Sequence, residues 1–526
     1  MEKIVSIAEM QAIEREADSK GLSYAQMMEN AGCGLAMHIN LAYSHDLEHT
    51  VVALVGPGNN GGDALVALAF LADLGWHTSA YLVRPRPVGD QLIERLRQKN
   101  CAVIAADVDG NSQNLLHLLE THKVLIDGVL GTGIRLPLHG DIAACLKFAR
   151  DYAIDHPKTL HVVAVDCPSG VDCDTGQVTN GVIPAELTVT MAAVKRGMLR
   201  LPAADLTVEL LVVSIGDLSD LESWVKVNCW MSDADYVRQI LPPRPRSAHK
   251  GTFGTALVVA GSVSYTGAAL LAGRAAYRVG AGLVQMAVPS VLHPALAGHI
   301  PEVIWLPLPH EDGFIASSAA NLVLTSLPKS SALLIGPGLG LRPTTQEFVR
   351  KIFIGRESII SMPHLVIDAD GLKLISGLPD WYHMLPAQAV LTPHPGEMAI
   401  LSGLTKEEIQ TDRIGIARKY AAIWGHVVVL KGAFTVIASP DGQTVVVPVA
   451  TPALARAGTG DVLAGLIVGL LAQGVSPFEA AVGGGWIHAM AGLKTEERLG
   501  AASVLAGDLL PAIAEVLVEL KHRKLN

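Results

Sequence analysis

Short, continuous apolar runs recur along this chain, each broken off by glycines or by a single carboxylate. "TVVALV" (50–55) ends in "GPGNNGGD", and the apolar residues of "ALVALAFLADLGW" then return at helical spacing. The same succession appears in "KVLIDGVLGTG" (123–133), "HVVAVDCPSGVD" (161–172) and "LTVTMAAVKRG" (187–197). Runs without alternation predict strands buried on both faces, which means a parallel sheet between layers of helices. Ahead of these strands, residues 1–40 read as helical, with "IAEMQAIEREA" showing the 3.6-residue period.

Near residue 217 the rhythm stops, and "LPPRPRSAHKG" (241–251) is rich in proline and basic residues. The alternation resumes in "TALVVAGS" (255–262), "GLVQMAVP" (282–289), "SALLIGPGLG" (331–340), "HLVIDADGL" (364–372), "AVLTPHPGE" (389–397), "HVVVLKG" (426–432) and "FTVIAS" (434–439). The expected organisation is two α/β domains, 1–220 and 246–526, joined by a linker over 221–245. The two "GPG" turns differ in their surroundings and are not an internal repeat.

A chain of 526 residues with 50% apolar and 17% charged residues has enough apolar material for two large cores. Its net charge of −10, without a basic run, argues against nucleic acid and anionic membranes as partners. Phosphates would therefore be held mainly by backbone N–H groups and helix dipoles. The six cysteines contain no CxxC pair, the first twenty residues carry charges throughout, and "VLAGLIVGLLAQGV" is too short to span a bilayer. A reduced, cytoplasmic protein is expected.

In an open parallel sheet, ligands sit beyond the carboxyl ends of the strands. In the second domain those ends carry Gly261, Ser262, Gly267 and Ala268; Gly336, Gly338 and Gly340; Asp368 and Asp370; His394 and Glu397; and Lys431 with Gly432. "ARAGTGDVLAG" (455–465) places Gly458, Thr459, Gly460 and Asp461 at the start of an apolar helix, where unpaired N–H groups and the dipole attract anions. Asp461 reads either as a helix cap or as a general base beside a bound phosphate. "TPHPGE" reads either as a proline turn with a surface histidine or as part of that site, and Asp370 either as a helix cap or as a ligand.

In the first domain, "GPGNNGGD" reads as a tight turn with Asp63 as cap, or as a binding loop. Asn60, Asp127, Asp166 and Ser169 stand at three strand ends and can converge. Oxygen-only ligands of low total charge suit a hard, weakly held cation. Lys195 and Arg196 read either as a solvated loop or as contacts to a substrate phosphate.

Two resemblances carry these readings further. "HKGTFGTALVVAGSVSYTGAALLAGRAAYRVGAGLV", "LLIGPGLG", "VIDADGL", "LTPHPGE", "VVLKGAFTVI" and "ARAGTGDVLAG" together resemble the ADP-dependent NAD(P)H-hydrate dehydratases of the ribokinase-like superfamily. The resemblance implies a C-terminal ribokinase-like α/β domain in which Ala268, Gly338, His394 and Asp461 contact the hydrated dinucleotide. Lys431, Gly432, Ala433, Phe434, Thr435 and Gly460 would hold ADP, with Mg²⁺ expected wherever phosphoryl groups move. "MMENAG", "GPGNNGGD", "DGVLGTG", "DCPSGVD" and "VTMAAVKRG" resemble the NAD(P)H-hydrate epimerases, which implies an N-terminal Rossmann-like three-layer sandwich that binds K⁺. Asn60, Asp127 and Ser169 would be the K⁺ ligands. Asn59, Asn60, Gly61, Gly62, Asp63, Gly131, Thr132, Gly133, Ile134, Arg135, Leu136, Pro137 and Asp166 would bind substrate, with Asp166 as acid or base. Ala64 departs from that family's usual third glycine and reads as packing.

The expectation is a bifunctional repair enzyme. It would interconvert the R and S forms of hydrated NADH or NADPH and dehydrate the S form with ADP, as a homo-oligomer and without nucleic acid or membrane. The alternative is a small-alcohol kinase of the vitamin-salvage type with a binding-only first domain.

Overall fold

The computed structural model describes residues 1–45, 48–109, 112–354 and 362–522. Two compact units emerge, Glu2–Asn228 and Cys229–Asn526.

The strands of the first unit are β1 (Glu2–Val5), β2 (Thr50–Val55), β3 (His77–Leu82), β4 (Ala102–Ala105), β5 (Val124–Gly128), β6 (His161–Val165), β7 (Ala185–Met191), β8 (Val194–Lys195) and β9 (Thr207–Val213). Seven of them form a sheet in the order β4-β3-β2-β5-β6-β7-β9, and every neighbouring pair is parallel. Val51, Ala53 and Val55 of β2 enter one apolar core while Val52 and Leu54 enter another on the opposite face. Alternate side chains of one continuous apolar run thus serve two helical layers, as the pattern predicts. Ala64 is fully buried in the first of these cores, and a Cβ on Gly128 would stand 2.7 Å from its own Cβ, so it is a packing residue.

The expected all-helical start is corrected at residues 2–5. There β1 pairs in parallel with β8, with Val5 opposite Lys195. Nothing within "EKIV" selects a strand; the partner that does lies far along the chain. Ser6 then closes a capping box with Glu9 and starts the helix Ile7–Ser19, followed by Tyr24–Tyr43.

The second unit contains β10 (Cys229–Met231), β11 (Thr255–Val259), β12 (Leu283–Pro289), β13 (Ile304–Leu308), β14 (His310–Glu311), β15 (Phe314–Ile315), β16 (Ala332–Ile335), β17 (His364–Ile367), β18 (Val390–Leu391), β19 (Val427–Leu430), β20 (Val436–Ala438) and β21 (Thr444–Val446). Its sheet runs β13-β12-β11-β16-β17-β18-β19-β20-β21-β10. It is parallel except where β20 pairs with β19 and β21. The helices Thr266–Arg278 and Thr459–Ala472 pack into its main apolar core.

Residues 221–245 do not form a linker. They carry the short helix Glu222–Val225, then β10, then the helix Ala234–Ile240, capped by Asp233 through a 2.8 Å bond from the Tyr236 N–H. Leu221 and Val227 are buried in a core of the first unit, and Ala234 and Val237 in that of the second. Proline and basic content marks only the tail of this stretch. No helix among the described residues is long and apolar enough to cross a membrane.

Candidate active sites

In the second unit, five parallel strands release the chain at one edge of the sheet. After β11, the Gly261 N–H donates to the Pro337 carbonyl at 2.8 Å. A Cβ on Gly338 would lie 2.8 Å from that of Tyr265 and 2.9 Å from that of Ala268, so residues 268 and 338 are in contact. Gly336, at φ +135, can carry no side chain, because its Cβ would fall 1.9 Å from the Asp368 carbonyl oxygen.

After β17, Ala369 sits at φ 50 and ψ −120, a conformation that costs a non-glycine residue energy. This turn sends its two carboxylate neighbours to different partners. Asp368 accepts from Thr392 Oγ1 at 2.7 Å and from Lys431 Nζ at 2.6 Å. Asp370 accepts from the Gly340 N–H at 2.9 Å and from Lys373 at 3.1 Å. Lys431 Nζ also lies 3.7 Å from Glu397, and a Cβ on Gly460 would stand 3.5 Å from that same nitrogen. The start of the helix Thr459–Ala472 is thereby set against Lys431. Gly458, at φ 91, caps this helix without a side-chain bond to its first N–H groups.

Electrostatics follow from this crowding. Burial pushes the Asp461 carboxyl up to about 7; Asp368 pushes the same way, Lys431 opposes, and Asp370 and Glu397 add to the rise. Burial would release the proton of Lys431, but Asp368 and Glu397 raise its affinity above the ordinary value.

His394 is the N-cap of the helix Pro395–Ser402: its Nδ1 accepts from the Gly396 and Glu397 N–H groups at 2.9 and 3.2 Å. Burial lowers its proton affinity, so the neutral ring carries its proton on Nε2, 3.3 Å from Glu397. "TPHPGE" is therefore a helix start rather than a plain turn, and its histidine, with 52% of the side chain exposed, is a surface residue engaged as the cap. His488, which motif reading missed, is pushed down to about 4 by burial and hydrogen-bonds the backbone of Thr459.

In the first unit, a cavity of about 640 Å³ opens at the carboxyl edge of the sheet. Its wall includes Asn59, Asn60, Asp63, Gly131, Thr132, Gly133, Ile134 and Asp166, which brings together loops after β2, β5 and β6. Gly61, Gly62, Arg135, Leu136 and Pro137 are not part of that wall. Gly61 and Gly62 are packing glycines, since a Cβ would meet the Gly56 carbonyl oxygen at 2.1 Å and the Met28 methyl at 2.6 Å. The "NNGGD" stretch is the beginning of the helix Asn59–Asp73, capped by Gly58, so Asp63 is not the cap. Burial raises the Asp63 carboxyl well above its usual range, and Asp166 and Glu14 raise it further.

Asp166, at φ 63, takes the ammonium of Lys195, the Thr190 hydroxyl at 3.0 Å and the Met191 N–H at 3.0 Å. Lys195 is 1% exposed and lines the cavity, which corrects the solvated-loop reading. Its cationic neighbour Arg196 is instead paired with Asp174 at 2.9 Å, away from the cavity wall.

Asp127 and Ser169 are fully buried beside that wall. Asp127 accepts from the Ser169 N–H at 2.8 Å and the Ser169 hydroxyl at 2.5 Å. The Ser169 hydroxyl lies 3.2 Å from the Leu130 carbonyl oxygen, to which Asn60 donates at 3.0 Å, and Asn60 also donates to Val165 O at 2.6 Å. Asn60, Asp127 and Ser169 thus belong to one oxygen-rich knot.

The chain is similar to known proteins over both units. A family model described as NAD(P)H-hydrate dehydratase matches residues 256–515, and one described as the YjeF-related protein N-terminus matches residues 24–197. A bifunctional NAD(P)H-hydrate repair enzyme of Moorella thermoacetica is 36% identical over 99% of this chain and 97% of its own. Its counterpart in Salinibacter ruber is also 36% identical, over 98% and 96%. Among solved structures, an ADP/ATP-dependent NAD(P)H-hydrate dehydratase of Bacillus subtilis, co-crystallised with ATP and Mg²⁺, is 31% identical. It covers 56% of this chain and 99% of its own, with a TM-score of 0.48.

Proposed function

The chain belongs to the bifunctional NAD(P)H-hydrate repair enzymes, and from that membership we propose which of its residues carry each of its two reactions. The first unit epimerises the hydrated nicotinamide ring of NADH or NADPH, and the second dehydrates the S form at the expense of ADP. The observation that carries the second assignment is Asp461. It is a largely buried carboxyl with its midpoint at about 7, in the first turn of a helix that starts against Lys431. A base that titrates near the working pH suits proton removal.

In the dehydration, Asp461 takes the proton of the ring hydroxyl, and the oxygen attacks the β-phosphorus of ADP, so that AMP leaves. Phosphate then departs from the ring with its electron pair, a ring proton is lost, and the double bond returns. Hydroxide is a poor leaving group and phosphate a good one, which is why a dehydration consumes a nucleotide. The N–H groups near Gly458 and Gly460, with Lys431, hold the phosphates, and the Lys431–Thr435 segment holds the rest of the nucleotide. Ala268, Gly338 and His394 receive the hydrated dinucleotide. Mg²⁺ would enter with the substrate phosphates, where it would neutralise charge in a site crowded with carboxylates.

In the first unit, Asp127 is buried with no ion-pair partner among the described residues, amid hydroxyl, amide and carbonyl oxygens. That donor set fits K⁺ held by Asn60, Asp127 and Ser169, which would supply the missing positive charge. Asp166 acts as acid or base in the epimerisation, with Lys195 fixing its direction. Asn59, Asp63 and Gly131 to Ile134 line the space for the dinucleotide.

The deciding experiment incubates the whole chain with a mixture of hydrated NADH epimers and follows reduced-ring absorbance. Without ADP, only the epimer ratio changes. With ADP, absorbance returns for both epimers, and AMP and free phosphate appear. Accumulation of a phosphorylated hydrate without recovered absorbance would favour the kinase reading.

A further inference from the structure

Glu14 faces the cavity of the first unit from an element that no loop assigned above belongs to. Strand β1 pairs with β8 so that Val5 lies opposite Lys195, and the helix Ile7–Ser19 begins directly after β1. Glu14 of that helix lines the same cavity as Asp63, Asp166 and Lys195. Both β1 and this helix precede the stretch 24–197 that matches the family model. Asp166 is ion-paired with Lys195, whereas Glu14 makes no hydrogen bond or ion pair among the described residues. A half-buried carboxyl without a partner is costly to keep unless it has a task.

We propose that Glu14 is the second acid–base group of the epimerase, the proton donor to the ring hydroxyl, working with Asp166 as the acceptor. This deepens the epimerase reading above and rests on it. The hydrated carbon bears a hydroxyl and the ring nitrogen, so it inverts without oxidation or reduction. The Glu14 carboxyl gives its proton to the hydroxyl as the C–O bond breaks, and the nitrogen lone pair closes to an iminium. Water adds to the other face as Asp166 takes its proton, and that proton returns to Glu14 through water in the cavity they share. One carboxylate paired with a lysine and one left unpaired is the contrast that separates base from acid. The charged groups around Glu14 are Lys195, Asp166, Asp63 and Arg15. Burial, the largest influence, raises its proton affinity; Asp166 acts the same way, and Lys195 and Arg15 oppose.

The test uses the whole chain and follows interconversion of the epimers without ADP. Glu14→Gln, which keeps the shape, should slow epimerisation roughly 100- to 10,000-fold, leave ADP-driven repair of the S form unchanged, and remove the alkaline limb of the pH profile. Glu14→Ala should regain rate with added formate, a rescue that a packing role would not give. In ¹⁸O-labelled water the wild-type product hydroxyl should carry label. Glu14→Gln within a few-fold of wild type with an unaltered pH profile, no rescue of Glu14→Ala, or an unlabelled product would each overturn the proposal. Asp166→Asn separates the two levels: if it epimerises normally, the epimerase reading fails as well; if it is inactive while Glu14→Gln is not, only the role of Glu14 falls.

Discussion

Replacing Asp461 by Asn should abolish dehydration and, at the same time, stabilise the free protein at alkaline pH. The carboxyl moves from its ordinary 3.8 to about 7 on folding, chiefly through burial and then through Asp368. At about 1.4 kcal/mol for each tenfold change in proton affinity, the charged form costs the folded chain about 4 kcal/mol. Because the folded state binds this proton more tightly than the unfolded one, the cost is absent below about pH 4. It grows as pH rises toward 7 and is present in full above it. Asn carries no charge, so the variant should exceed wild type in stability by up to about 4 kcal/mol at pH 8 and by little at pH 4.5. Activity should fall roughly 100- to 10,000-fold, the usual contribution of a general base. Wild-type kcat/KM should rise through pH 7 as Asp461 deprotonates, and this limb should vanish in the variant. The assays are denaturant unfolding without nucleotide at the two pH values, and reduced-ring absorbance with hydrate and ADP. A variant that is equally destabilised at both pH values and keeps activity within a few-fold would make Asp461 a helix-start residue and nothing more.

Gly460→Val should weaken ADP in calorimetric titration and spare hydrate binding, since its side chain extends toward the Lys431 ammonium from a Cβ only 3.5 Å away; unchanged ADP affinity in a folded variant would put the phosphates elsewhere. Asp166→Ala should stop epimerisation and leave the ADP-driven reaction intact, and replacing K⁺ by Li⁺ should slow only the epimerase; a variant that clears both epimers at the wild-type rate, or equal rates in the two salts, refutes these roles. Cutting the chain after Asn228 should yield two soluble, separately active pieces. A cut after Asp217 should leave the first piece aggregating, because it strips Leu218, Leu221 and Val227 from the core; equal behaviour of the two cuts in gel filtration would contradict this.

Much of this architecture was legible in the order of residues because its signals are local. A continuous apolar run such as "TVVALV" is a strand buried on both faces wherever the chain goes. A Gly-flanked "GTGD" before an apolar helix exposes N–H groups to an anion by geometry internal to that segment. Asp166 and Asp127 are the first polar residues at the ends of such runs, and Asn60 lies in the Gly-rich stretch that ends another, so their place at the sheet edge followed as well. Other features depend on partners remote in sequence and could not be read from a window. "EKIV" is a strand that pairs with β8 from far along the chain, and Lys195 of β8 is buried with its charge received by Asp166. The segment 221–245 is ordered by cores on which its Leu221 and Val237 separately settle. Glu14, one more polar position on an amphipathic helix, gains meaning from the cavity it faces. Periodicity and turn chemistry act over a few residues and were decided by the chain itself. Burial of charge is an energy set by the whole environment, so the tertiary structure alone decided which carboxylates are paired, which are raised, and which are left to exchange a proton.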